Sequence, residues 1–68
     1  MENLKVSKRE LEIIVEISNG ASAKEISDRL FISILTVNTH RRNILQKLKA
    51  KNAPNLIRKS LELGLIKI

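Results

Sequence analysis

The chain has 68 residues, no cysteine, one histidine, one aromatic residue and a formal net charge of +6. That length allows one small domain over 1–68 with a modest core. The composition excludes a disulfide framework, a thiolate metal site, a cysteine nucleophile and a metal centre built from several histidines.

All the predicted elements are helical, so the fold class is all-α with four helices and no strand. The first helix opens at "SKRE", where Ser7 can cap and Glu10 can reach back to close a capping box. Leu11, Ile14, Val15 and Ser18 follow at helical spacing, with Ile17 beside them and Arg9, Glu12 and Glu16 on the other side. Asn19-Gly20 stops the helix, because both residues tolerate a left-handed C-terminal cap. The second helix is short. Ser22 is its expected N-cap, and Ala23, Ile26, Ser27 and Leu30 share its inner face.

Ser33 can cap a third helix that runs to about Lys49. Val37, Ile44 and Leu48 form its apolar stripe, with Ile34 and Leu45 flanking. Asn38, Thr39, Arg42 and Gln46 lie opposite, joined by Leu35 near the start. Arg41 falls on the apolar side, where its stem can pack and its head can escape. Asn52 is expected to cap the fourth helix, with Pro54 harmless in its first turn. Leu56, Ile57, Leu61 and Leu63 supply apolar faces, Gly64 ends the helix, and Leu65 and Ile66 can fold back on its last turn.

About three residues separate the second and third helices, the connection of a helix-turn-helix over about 21–42. A plain structural hairpin has the same outline. A DNA-reading pair makes further demands, and several are met together. Ser27 is a small residue at the crossing, and Ile26, Leu30, Ile32 and Val37 can hold the corner. Asn38, Thr39 and Arg42 are short donors and acceptors plus an arginine near the amino end of the second helix of the pair, the groups that reach base edges in the major groove.

Charge is unevenly spread. Residues 1–28 hold six acids and four bases, whereas Arg29 to Leu61 hold no acid and eight bases: Arg29, Arg41, Arg42, Lys47, Lys49, Lys51, Arg58 and Lys59. A one-signed segment attracts a polyanion and steers its approach. It also serves as an ordinary solvated surface. With Phe31 the sole aromatic, stacking on single strands is not expected.

"SKRELEIIVEISNGASAKEISDRLFISILTVNTHRRNILQKLKAK" resembles the effector domain of the LuxR/FixJ class of bacterial regulators. The resemblance rests on Ser7, Arg9-Glu10 and Gly20, then Lys24-Glu25-Ile26, Leu-Phe-Ile-Ser at 30–33, and Thr36-Val37. His40, Asn43-Ile44, Lys47-Leu48 and Gly64–Ile66 complete it, so it covers about Val6 to Ile66. It implies a tri-helical helix-turn-helix core with an additional C-terminal helix, the third helix entering the major groove and the fourth forming a dimer contact. Carried over by position, it makes Asn38, Thr39 and Arg42 base-facing. It puts Lys24 and Thr36 on phosphates, helped by backbone N–H groups at the start of the second helix. Arg41 and Lys47 join the phosphate set, Arg41 being divided between packing and phosphate and Lys47 acting as part of a diffuse positive field. Leu56, Lys59, Ser60 and Leu63 are the expected dimer contact. The sequence departs from the family pattern at Ser27 (commonly Ala), Asn38 (often Lys) and Ala53 (often Arg). Asn38 can pair bidentately with adenine, which shifts the expected target site.

Other residues carry two readings. His40, between Val37 and Ile44, reads as a packed histidine, with a phosphate contact open from its edge position. Glu10 reads as a cap, with pairing to a nearby base open. Leu35 is either a surface leucine or a contact to a thymine methyl.

The leading function is a sequence-specific, double-stranded-DNA-binding transcription regulator, acting as a homodimer on paired half-sites, with RNA polymerase a further candidate partner. The alternative is a helical interaction module, sigma-factor-like or adaptor, docking on the transcription machinery. An enzyme is the weakest class, because no nucleophile–base constellation or glycine-rich phosphate loop is present. No cofactor or metal is expected. No apolar run approaches the roughly 18 residues of a membrane span, and "MENLKVSKRE" lacks the apolar centre of a secretory signal. The expected product is therefore soluble, cytoplasmic and bacterial, either as a free-standing regulator or as a domain of a longer one.

Overall fold

The computed structural model describes residues 6–67. Its helices are α1 (Lys8–Ser18), α2 (Ala23–Leu30), α3 (Ile34–Leu48) and α4 (Ala53–Glu62). Each starts where a short polar side chain can replace a missing intrahelical acceptor. Ser7, Ser22, Ser33 and Asn52 each accept from the backbone N–H three residues on. At α1 the box is closed from both sides, Ser7 N–H donating to Glu10 Oε1 at 2.9 Å. The same box forms at α2, where Ser22 N–H donates to Glu25 Oε1 at 2.8 Å. The sequence signal for this second box is "SAKE", the same Ser-x-x-Glu spacing as "SKRE".

Every helix ends in the same way, with an N–H beyond the end reaching back to a carbonyl five residues earlier. The bonds are Ala21 to Glu16, Ile32 to Ser27, Ala50 to Leu45 and Leu65 to Ser60. The turn requires a left-handed residue. Gly20 and Gly64 supply it for α1 and α4, but Phe31 (φ 58°) and Lys49 (φ 54°) supply it for α2 and α3. Phe31 bears that conformation while 93% exposed, so its ring gains almost nothing from burial. A left-handed L-residue costs roughly 1–2 kcal/mol, partly offset in glycine by the entropy of the unfolded chain. Phe31→Gly should therefore raise stability by about 0.5–1 kcal/mol and the melting temperature by a few degrees. Phe31→Val should lower it. Thermal melts followed by circular dichroism decide this, and a glycine variant that melts earlier would show that the ring makes a stabilising contact.

The core consists of Ile13, Ile14 and Ile17 from α1, Ile26 from α2, Val37, Ile44 and Leu48 from α3, and Leu56 from α4. The third helix packs against all three others, and α1 also packs against α4. The inner stripe of α3 is the expected one. The corner of the helix-turn-helix is held by Ile26, Leu30, Ile32 and Val37, as their spacing implies, while Phe31 points away from it.

Two parts of the packing differ from the expectation. On α1 the buried face is Glu10, Ile13, Ile14 and Ile17, and Val15 is 41% exposed. Ser18 turns its hydroxyl onto the Val15 carbonyl at 2.7 Å. Five of the seven residues from Leu11 to Ile17 are apolar, so periodicity leaves the rotation of the helix open and its partners decide. On α4, Leu56 and Ser60 are buried inside the domain, so neither can form the expected dimer contact. Leu56 belongs to the core, and Ser60 donates its hydroxyl to the Leu56 carbonyl at 2.8 Å. Lys59 is half-buried and its ammonium donates to the Lys49 carbonyl at 2.8 Å, closing the carboxyl end of α3. Of the four expected contacts only Leu63 is exposed.

Glu10 is the one buried acid among the described residues, at 4% exposure. Lys47 Nζ donates to its Oε1 at 2.7 Å, joining α3 to α1. Burial works against the charged carboxylate, but the bonds from Lys47 and from Ser7, with the Lys47 charge, outweigh it and hold the carboxyl below the usual range. A carboxyl lowered by folding contributes stability above its unfolded pKa of about 4.3, and that contribution disappears as pH falls through the lower folded value. Glu10→Gln should be less stable than the parent by about 1–3 kcal/mol near pH 7, and the gap should narrow as pH falls from about 4.5 to 3. Urea titrations across that range check it. A gap independent of pH would mean that the charge of the carboxylate does not contribute.

Candidate nucleic-acid interface

Because α3 is gripped by three neighbours, its remaining side is a rigid outward stripe. Leu35, Thr39, Arg42 and Gln46 follow one another at spacings of four, three and four residues, with Asn38 alongside, and all five are exposed. At a rise of 1.5 Å per residue the stripe is about 16 Å long, a length that lies along a major groove about 12 Å wide. The structure thus brings together Asn38, Thr39 and Arg42, the three residues expected to face bases. Asn38 and Arg42 have no side-chain partner among the described residues. The Thr39 hydroxyl differs, since it donates to the Leu35 carbonyl one turn back at 3.0 Å. It retains its acceptor lone pairs and its methyl group.

The residues expected at phosphates divide. Thr36 is exposed at the amino end of α3, its hydroxyl 2.9 Å from that of Ser33. Arg41 is half-buried at the edge of the core, as its dual reading implies, and His40 is half-buried beside it. Lys24 is exposed and pairs with Asp28 at 3.1 Å, a surface pair that exchanges readily with another anion. Lys47 is held by Glu10, so its reach towards a ligand is restricted and its charge is largely matched. The start of α2 is also altered from the expectation. Its Glu25 N–H is taken by Ser22, and the Glu25 carboxylate folds over the end of the helix. Bonds from the Ser22 N–H and hydroxyl, with Arg29 nearby, keep that carboxyl ionised below the usual range. An anion approaching this end therefore meets a negative charge, leaving the Ala23 and Lys24 N–H groups as the available donors.

Pairing also redraws the positive field. Of the eight bases in the acid-free stretch, Arg29 pairs with Glu16, Lys47 with Glu10 and Arg58 with Glu62. Lys59 is turned onto a carbonyl. Arg41, Arg42, Lys49 and Lys51 have no side-chain partner among the described residues. They lie on α3 and the loop that follows it, so the uncompensated charge gathers beside the outward stripe.

Residues 4–60 match the family described as bacterial regulatory proteins, luxR family. The chain belongs to this family. Its helix-turn-helix is the DNA-binding domain of a transcription regulator. The chain is 44% identical over 61 residues to the oxygen regulatory protein NreC of Staphylococcus carnosus (strain TM300), and 43% identical over the same length to NreC of Staphylococcus aureus (strain JH9). Each alignment covers 90% of this chain and 28% of the relative. Among solved structures it resembles the response regulator ChrA of a heme-sensing two-component system, at a TM-score of 0.89 and 33% identity. That match covers 97% of this chain and 33% of ChrA. The chain therefore spans about a third or less of the proteins it matches. Among the described residues, no helix is long and apolar enough to cross a membrane.

Proposed function

We propose that this luxR-family domain reads duplex DNA in a sequence-specific way by laying α3 in the major groove, and that it serves as the output domain of a response regulator. The observation that carries this reading is the outward stripe of α3: Asn38 and Arg42, without a side-chain partner among the described residues, on a helix fixed by three others, with Arg41, Lys49 and Lys51, likewise unpaired among the described residues, beside it. Asn38 matches the N6/N7 edge of adenine, and Arg42 matches the O6/N7 edge of guanine. Thr39, its hydroxyl donating to the Leu35 carbonyl, offers its methyl group beside them. Thr36, Lys24 and Arg41 lie at the flanks, where phosphates pass. Lys47 contributes by fixing α3 rather than by contact.

Binding as a homodimer on two half-sites is part of the proposal. Its contact runs through Leu63 and the exposed rim of α4, since Leu56 and Ser60 are in the core. The setting is the bacterial cytoplasm, with RNA polymerase as a further partner of the bound regulator. Selection from a random duplex pool tests the reading. The expected result is an enriched motif containing adenine and guanine, repeated about one helical turn apart, with affinity that falls steeply as salt rises. No enriched motif and no retardation of duplex at low salt would overturn it in favour of a helical protein-interaction module.

A further inference from the structure

The midline of the outward stripe of α3 is occupied by a leucine. Leu35 is 74% exposed, packs on no part of the core, and lies one turn before Thr39 and two before Arg42. A lone surface leucine is ordinary. This one stands at the amino end of a stripe otherwise made of Asn38, Thr39, Arg42 and Gln46, on a helix that three neighbours hold in place. The second observation concerns Thr39. Its hydroxyl proton is directed onto the Leu35 carbonyl at 3.0 Å, so Thr39 has no donor to offer a base. Its apolar substituent is a methyl one helical turn from the Leu35 side chain, a spacing at which side chains meet. The two residues form an apolar ledge alongside Asn38 and Arg42 on the outward stripe.

The major groove presents one apolar group, the 5-methyl of thymine. We infer that Leu35 and Thr39 together read a thymine methyl, in a base pair beside the adenine that Asn38 engages. This inference rests on the proposed placement of α3 in the major groove and adds to it the base that the ledge selects. Cytosine lacks the methyl and presents an amino donor there, while purines present polar edges, so each leaves the ledge without an apolar partner.

The test is a chemical cycle on the selected duplex. Replacing thymines one at a time with deoxyuridine removes the methyl and leaves base pairing intact. One position in each half-site should lose about three- to tenfold in affinity with the parent protein. Leu35→Ala should lose a similar factor on the thymine duplex and show no further loss on the uracil duplex. Thr39→Val, which keeps the methyl, should retain the sensitivity to uracil, and Thr39→Ser should reduce it. The inference is overturned if no uracil substitution matters, or if Leu35→Ala loses the same factor on both duplexes. Those results leave an enriched motif and its Arg42 dependence intact, and so are distinguishable from failure of the groove reading, in which no motif is enriched and both inferences fall. Because Leu35 is exposed, its alanine variant should melt with the parent, which separates a contact from a folding defect.

Discussion

Ile44→Ala should leave much of the chain unfolded at 37 °C. Ile44 has no exposed surface and sits in the stretch of α3 between Val37 and Leu48, on the stripe that faces the other helices. Truncating a buried isoleucine to alanine costs about 2–5 kcal/mol, through lost transfer energy and the cavity left behind. The core here is small: Ile13, Ile14, Ile17, Ile26, Val37, Ile44, Leu48 and Leu56. A single core in a chain of this length rarely supplies more than about 3–5 kcal/mol. The loss is therefore comparable with the whole stability of the domain. In urea titrations by circular dichroism, the midpoint should fall towards zero denaturant, and DNA retardation should disappear with the helical signal. Leu35→Ala removes a side chain of similar size from the opposite side of the same helix and should not move the midpoint. A stable, fully helical Ile44→Ala variant would show that α3 is not seated on this stripe.

Arg42→Ala should relax discrimination at the guanine it reads while leaving the fold untouched. Arg42 is exposed on the outward stripe and makes no bond to another described residue. Its loss from a bidentate contact to guanine should weaken binding to the selected duplex by about 1–3 kcal/mol, roughly 5- to 150-fold. Binding to a scrambled duplex should change far less. Lys24→Ala provides the contrast. A phosphate contact carries no sequence information, so that variant should weaken binding to both duplexes alike and reduce the salt slope by about one. Fluorescence anisotropy on selected and scrambled duplexes at several salt concentrations reads both effects. Equal binding of the Arg42 variant and the parent to the selected site would remove Arg42 from the interface.

The parts of this protein legible in its sequence are those decided within a few residues. Ser7, Ser22, Ser33 and Asn52 each cap by bonding three residues ahead. Gly20 and Gly64 take the left-handed turn that few other residues accept. The stripe of Val37, Ile44 and Leu48 is legible because polar residues bound it on both sides. The bond from Thr39 to the Leu35 carbonyl is also local, an i to i−4 bond that threonine makes inside helices. It was within reach of sequence reasoning, and it changes what the outward stripe offers a base.

Phe31 marks the limit of such reading. Its hydrophobicity favours burial, but the end of α2 needs a left-handed residue at that point, and the turn directs the ring to solvent. Other facts depend on residues distant in the chain. Glu10 meets Lys47 across 37 positions, which takes one base out of the positive field and fixes the rotation of α1. Lys59 finds the carbonyl of Lys49, and Leu56 and Ser60 face inward, which leaves Leu63 as the exposed member of the expected contact.

By itself, then, the sequence determined the number of helices, their ends, the face of α3 that is buried, and the family, since caps, turns and periodicity are short-range and each residue reports its own. The tertiary structure alone decided which acids and bases neutralise each other, which side of α1 and α4 is inside, and where unpaired charge remains. Those outcomes depend on which helix faces are brought within a few ångströms of one another, and no local pattern contains that distance.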